Sequence, residues 1–71
     1  MCLAERLVYL RKSNNLTQKQ LSIELGLSEV AIQNYESNRR RPAYDVLIAL
    51  ADYFCVSLDY LCGRSDDPKR H

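Results

Sequence analysis

The residues of this 71-residue sequence whose types and spacing could carry chemistry fall in two neighbouring groups: Glu29, Val30, Gln33 and Asn34, then the cations Arg39, Arg40 and Arg41. On a helix running from Glu29 to Ser37, Ile32, Tyr35 and Glu36 fall at i, i+3 and i+4 and turn inward, which leaves the first group outward. That outward face offers a carboxylate, a branched apolar group and two amides, a set suited to the edges of stacked bases rather than to bond cleavage. A basic cluster just beyond such a helix lies where a phosphate backbone passes when the helix occupies a major groove. An arbitrary run of three arginines is a solvated turn; here its position supplies the second reading.

These groups must be positioned by the elements around them. Thr17 can cap the orphan amides of a first turn while Gln20 reaches back to it, so a helix starts at Thr17 or Gln18. Leu21 and Leu25 define its buried stripe, and Ser22 is small enough for a second helix to approach closely. Gly26 supplies the left-handed conformation that closes the helix, Leu27 folds back as the accompanying contact, and Ser28 caps the helix that follows. Two short amphipathic helices hinged at Gly26 and Leu27 make a helix-turn-helix.

The rest of the sequence supplies support. Leu3, Leu7 and Leu10 repeat at i, i+4 and i+7, which predicts an opening helix from Leu3 to about Asn14, ended by Asn14 or Asn15. Pro42 stops the basic run and, with Ala43, prepares a fourth helix whose inward stripe is Leu47, Leu50, Ala51 and Phe54. Ser57 caps a last short helix in which Leu58 and Leu61 turn inward, ended by Gly63. The fold class is therefore all-α, with five helices in one domain over residues 1–63. The remainder, residues 64–71, lacks apolar periodicity and is expected to be a flexible tail.

Composition narrows the function. Seventy-one residues make one domain of about minimal size, and an apolar fraction of 46% argues against disorder. The apolar stretches are too short to span a bilayer, and Met1 leads into an amphipathic helix without a signal-peptide pattern, so a cytoplasmic location and no membrane partner are expected. Cys2, Cys55 and Cys62 are an odd set without a C-x-x-C pair, which fits reduced thiols acting as small apolar filler. Net charge is only +1, but residues 1–41 carry +3 and residues 42–71 carry −2. Binding a polyanion needs a local field of that kind, not a basic total.

The chain resembles the Cro/cI-like, or XRE-type, helix-turn-helix family, with its lambda-repressor-like fold. The resemblance rests on Leu16, Thr17, Gln18, Leu21, Leu25, Gly26, Ser28, Ile32, Tyr35, Glu36, Arg41 and Pro42, then on the segment LIALADYFCVSLDYL, and it covers about Leu3 to Gly63. It implies that Gln18 contacts a phosphate and braces the reading helix, that Lys19 and Ser28 touch the backbone of the nucleic acid, and that Glu29, Val30, Gln33 and Asn34 reach bases. Asn34 can pair with adenine and Val30 can pack on a thymine methyl. Glu29 has two readings, an acceptor for cytosine N4 or an acid favoured by the helix dipole. The chain departs from the family pattern at Ser37 and Asn38, where an Asn-Gly turn is usual, at Ala43, where a capping Ser is common, and at Cys55, where Gly is usual. Asn38 can take the positive φ that Gly supplies, with its backbone facing phosphate.

Arg11 and Glu36 each bring a charge to the edge of an inward stripe. Unpaired burial is too costly, so the two are expected to bridge the first and third helices.

One reading helix covers a few base pairs, so specificity calls for a two-fold homodimer on two half-sites about 34 Å apart. Val46, Tyr53, Tyr60 and Cys62, away from the core stripes, are the expected interface; for the tyrosines, partial core packing is the competing reading. The expected partner is operator DNA with two-fold symmetry and the expected role a repressor of bacterial or phage origin. An antitoxin-type protein-interaction module with autoregulatory DNA binding is the alternative. Nothing points to an enzyme, a cofactor, a metal or a small-molecule ligand: His71 is the single histidine, and the two glycines form no phosphate loop.

Overall fold

The computed structural model describes residues 1–69, and His71 lies outside them. The chain forms α1 (Leu3–Ser13), α2 (Gln18–Leu25), α3 (Glu29–Glu36), α4 (Tyr44–Phe54) and α5 (Leu58–Leu61), with no strand among the described residues. The starts of α2, α3 and α5 are written in their caps. Gln20 N–H donates to Thr17 Oγ1 at 3.0 Å while Thr17 N–H donates to Gln20 Oε1 at 2.8 Å, a reciprocal capping box. Ser28 Oγ accepts from Ala31 N–H and Ser57 Oγ from Tyr60 N–H, both at 3.1 Å. Ala43 has no side chain to offer α4, and the Asp45 carboxylate takes over by accepting the Val46 N–H at 3.0 Å. At α1, Cys2 N–H donates to Glu5 Oε1 at 3.2 Å, and that bond holds the Glu5 carboxyl below the usual carboxylate range.

All five helices end alike. Asn15, Gly26, Asn38, Cys55 and Gly63 take left-handed conformations, with φ of 57°, 68°, 63°, 56° and 78°. In each case the next N–H reaches back to a carbonyl of the last turn: Leu16 to Arg11 at 3.1 Å, Leu27 to Ser22 at 2.8 Å, Arg39 to Asn34 at 2.9 Å, Val56 to Ala51 at 3.0 Å and Arg64 to Asp59 at 2.8 Å. Glycine and asparagine accept this geometry readily. Cys55 does so against its Cβ.

The core is built evenly. Leu7, Leu21, Ile32, Leu50 and Leu61 are fully buried, one from each helix, and Leu3, Leu16, Leu25, Leu27, Tyr35, Val46, Leu47 and Phe54 pack around them. At about 1.5–3 kcal/mol per buried aliphatic side chain, this layer ties the two helices of the helix-turn-helix to the three that carry them.

One expectation about the C-terminal part needs correction. In α5 it is Tyr60 and Leu61 that turn inward, while Leu58 stays exposed. Tyr60 is drawn in by Arg6, a buried residue of α1 whose guanidinium carbon lies 3.8 Å from the Tyr60 ring centroid. The segment after Gly63, expected to fray, touches the body along its described part: Ser57 N–H donates to Pro68 O at 3.2 Å, and Asp66 Oδ1 lies 3.4 Å from Arg6 Nη2. Arg6 Nε is buried without a hydrogen-bond partner among the described residues.

Candidate nucleic-acid interface

The outward face of α3 exists because the opposite face is locked. Glu36, at the end of α3, accepts Arg11 Nε on Oε2 at 2.6 Å and Arg11 Nη2 on Oε1 at 3.1 Å. Gln18 Nε2 adds a third bond to Glu36 Oε1 at 3.0 Å, and Arg11 Nη1 donates to Leu16 O at 2.8 Å. The side chains of Arg11 and Glu36 are only 12% and 6% exposed, so this is a desolvated pair with its hydrogen-bonding capacity largely used. It bridges α1 and α3 as the sequence predicts, and Gln18 extends it to α2. A helix that must present its side chains at fixed height thus has its C-terminal end held from two directions.

Between the helices, the Gly26 turn and the buried Ser22 let α2 and α3 pack closely; Ser22 Oγ, which could otherwise be an orphan there, donates to Lys19 O at 2.6 Å. Ile32 is the fully buried residue of α3, and Tyr35 packs beside it. This fixes which side chains face out.

Glu29, Val30 and Gln33 are exposed and Asn34 is half-buried. Val30 is 61% exposed, a large apolar group left mostly uncovered among the described residues. No hydrogen bond or ion pair engages the Glu29 carboxylate or the Gln33 and Asn34 amides among the described residues, so their donors and acceptors are available. The Asn34 main chain, by contrast, is fully used: its carbonyl accepts Arg39 N–H at 2.9 Å, Arg40 N–H at 3.3 Å and Ser37 Oγ at 3.3 Å.

The groups expected at phosphates divide by how free they are. Arg39, Arg40 and Arg41 are exposed, and none has an ion-pair partner among the described residues. Three unneutralised guanidiniums follow directly on the outward helix. Lys19 is exposed near the start of α2. The Gln18 amide is engaged with Glu36, so its bracing contact is present within the protein itself. Ser28 Oγ accepts the Ala31 N–H, leaving its own O–H to donate outward. The Asn38 main-chain N–H turns inward to Tyr35 O at 3.4 Å, so the group left facing out is its side-chain amide and not its backbone.

The expected dimer residues are not brought together on one free surface. Tyr53 is exposed and sets its ring edge-on to Phe54, with centroids 5.1 Å apart. Val46 packs against the core, and Cys62 is half-buried in the wall of a cavity. Tyr60 is a correction: at 8% exposure beneath Arg6 it has little surface left to offer a partner. Sequence reasoning missed Arg6, because a charged residue on a leucine stripe carries no local sign of its aromatic partner 54 positions away.

The sequence profile of the helix-turn-helix family HTH_3 matches residues 7–61. Among curated proteins, an uncharacterized HTH-type transcriptional regulator of Bacillus subtilis, YobD, is 39% identical over 64 residues, covering 90% of this chain and 57% of that protein. The cryptic phage CTXphi transcriptional repressor RstR of Vibrio cholerae is 41% identical over 64 residues, with the same coverages of 90% and 57%. The chain thus spans a little over half the length of these relatives. Among solved structures, the P22 c2 repressor in complex with a synthetic operator superposes with a TM-score of 0.84 at 31% identity, covering 92% of this chain and 98% of that one. A transcriptional regulator from Listeria innocua gives a TM-score of 0.81 at 34% identity, covering 86% and 57%. No helix among the described residues is long and apolar enough to cross a membrane.

Proposed function

Because the chain belongs to the helix-turn-helix family HTH_3, whose relatives here are transcriptional regulators, we propose that it is a sequence-specific double-stranded-DNA-binding regulator acting as a homodimeric repressor. The observation that carries this reading is the outward face of α3. Among the described residues the side chains of Glu29, Gln33 and Asn34 make no hydrogen bond or ion pair and Val30 stands exposed, while Glu36, on the same helix, is held by Arg11 and Gln18. Asn34 and Gln33 read adenine edges, Val30 packs on a thymine methyl, and Glu29 accepts from cytosine. Arg39, Arg40 and Arg41, with Lys19, Ser28 and the amide of Asn38, take the flanking phosphates, and the helix dipole at the start of α2 supports Gln18 near another. Repression follows from occlusion of a promoter, in the cytoplasm.

Dimerisation follows from size. The described chain measures 29 × 21 × 21 Å, so one copy cannot place reading helices in two half-sites about 34 Å apart. Two copies meeting near the C-terminal helices, through Tyr53 with Val46 and Cys62 at its margins, can. Selection of bound fragments from random duplex DNA tests the reading: a half-site repeated with two-fold symmetry at one helical turn supports it, and a bound pool with no enriched sequence overturns it.

A further inference from the structure

We infer that Cys2 and Cys62 form a thiol–disulfide exchange site, which closes to an intramolecular disulfide on reaction with glutathione disulfide. Their positions in the sequence give no C-x-x-C signal, yet the fold brings both to the wall of one cavity of about 310 Å³, together with Arg40 and Arg41. Gly63 explains the approach. A Cβ built on it would stand 1.7 Å from Met1 O and 3.3 Å from Cys2 Cα, so the chain around Cys2 passes directly over the glycine that follows Cys62. With consecutive Cα atoms about 3.8 Å apart, the Cα atoms of Cys2 and Cys62 are separated by roughly 9 Å at most. A disulfide calls for Cα atoms less than about 7 Å apart, a separation that this bound admits.

The two thiols have different access, and this orders the exchange. Cys2 is exposed and Cys62 is half-buried. The Cys2 thiolate attacks glutathione disulfide, forming a mixed disulfide and releasing one glutathione thiolate. The Cys62 thiolate then attacks the Cys2 sulfur and releases the second glutathione. Two cysteine thiols are oxidised and one glutathione disulfide is reduced, so electrons and protons balance. The guanidiniums of Arg40 and Arg41 in the same wall, unpaired among the described residues, attract the carboxylates of the incoming disulfide. Cys55 is exposed too, but it lies at the end of α4 and lines no part of this cavity, so it serves as an internal control.

The test is peptide mapping without reductant after the full, reduced chain has been incubated with glutathione disulfide. The expected product is a single chain that has lost two hydrogens, with Cys2 joined to Cys62 and Cys55 outside the link. Its closed loop of nearly the whole domain should raise the melting temperature by at least about 10 °C. Cys62→Ser should stop at a glutathione adduct on Cys2, and the paired variant Arg40→Ala, Arg41→Ala should form that adduct several-fold more slowly. Separate glutathione adducts on Cys2 and Cys62 that never resolve, a bond made by Cys55 or between chains, or unchanged rates in the arginine variant would overturn the inference.

Discussion

Replacing Glu36 by Gln tests the bracket that holds the reading helix. The substitution keeps shape and one acceptor but removes the charge that Arg11 faces at 2.6 and 3.1 Å. With the pair almost wholly out of water, the change leaves a desolvated guanidinium facing only neutral acceptors, the retained amide oxygen and the Leu16 carbonyl. Breaking a buried pair from one side costs about 3–5 kcal/mol, and the retained bonds place Glu36→Gln near the lower end. A 71-residue domain has on the order of 4–10 kcal/mol in total, so the variant forfeits a large share of its stability. The melting temperature should fall by roughly 12 °C or more, and the urea midpoint should fall with an unchanged slope. The cycle with Arg11→Met sharpens the test. The double variant removes both charges at once and should be less destabilised than the sum of the single changes by about 1–3 kcal/mol. A melting temperature within a degree or two of the parent, or strictly additive effects, would refute the reasoning and return both residues to the surface.

The remaining predictions concern helix ends and the cation run. Cys55→Gly removes a Cβ from a left-handed position and should stabilise by about 1 kcal/mol, seen as a melting temperature raised by roughly 4–8 °C; a decrease would mean that the thiol contact to Asp52 O at 3.7 Å outweighs backbone strain. Gly26→Ala and Gly63→Ala carry the same backbone cost of about 1 kcal/mol, but only at Gly63 does the new methyl meet main chain, at Met1 O. Gly63→Ala should therefore be clearly the worse of the two in thermal denaturation, and equal losses would contradict the packing of Met1 over α5. Arg40→Ala should weaken binding on all duplexes alike and reduce the salt slope by about 1, whereas an unchanged slope would remove Arg40 from the phosphate contacts.

Much of this architecture is legible locally because caps and closures are local. Thr17 with Gln20, Ser28, Gly26 and Asn38 each mark a boundary through a side chain or a φ that acts within one turn, and the structure places boundaries there. Arg11 and Glu36 were readable because two charges on inward stripes demand each other. Periodicity failed at α5, where four residues make a single turn and cannot decide between Leu58 and Tyr60. That choice is made by Arg6, from another helix, and by a segment returning through Asp66 and Pro68. The meeting of Cys2 and Cys62 is invisible for the same reason: it depends on where Gly63 lets the first residues pass.

We propose that α3 reads bases rather than merely resting on phosphate. The direct measurement is the affinity of the parent and of Asn34→Ala, at one fixed salt concentration, for the selected operator and for a duplex lacking it. Asn34→Ala should lose about 1–3 kcal/mol on the operator and essentially nothing on the other duplex, so that preference narrows while background binding stays. Equal loss on both duplexes, or a parent protein that does not distinguish them, would contradict it.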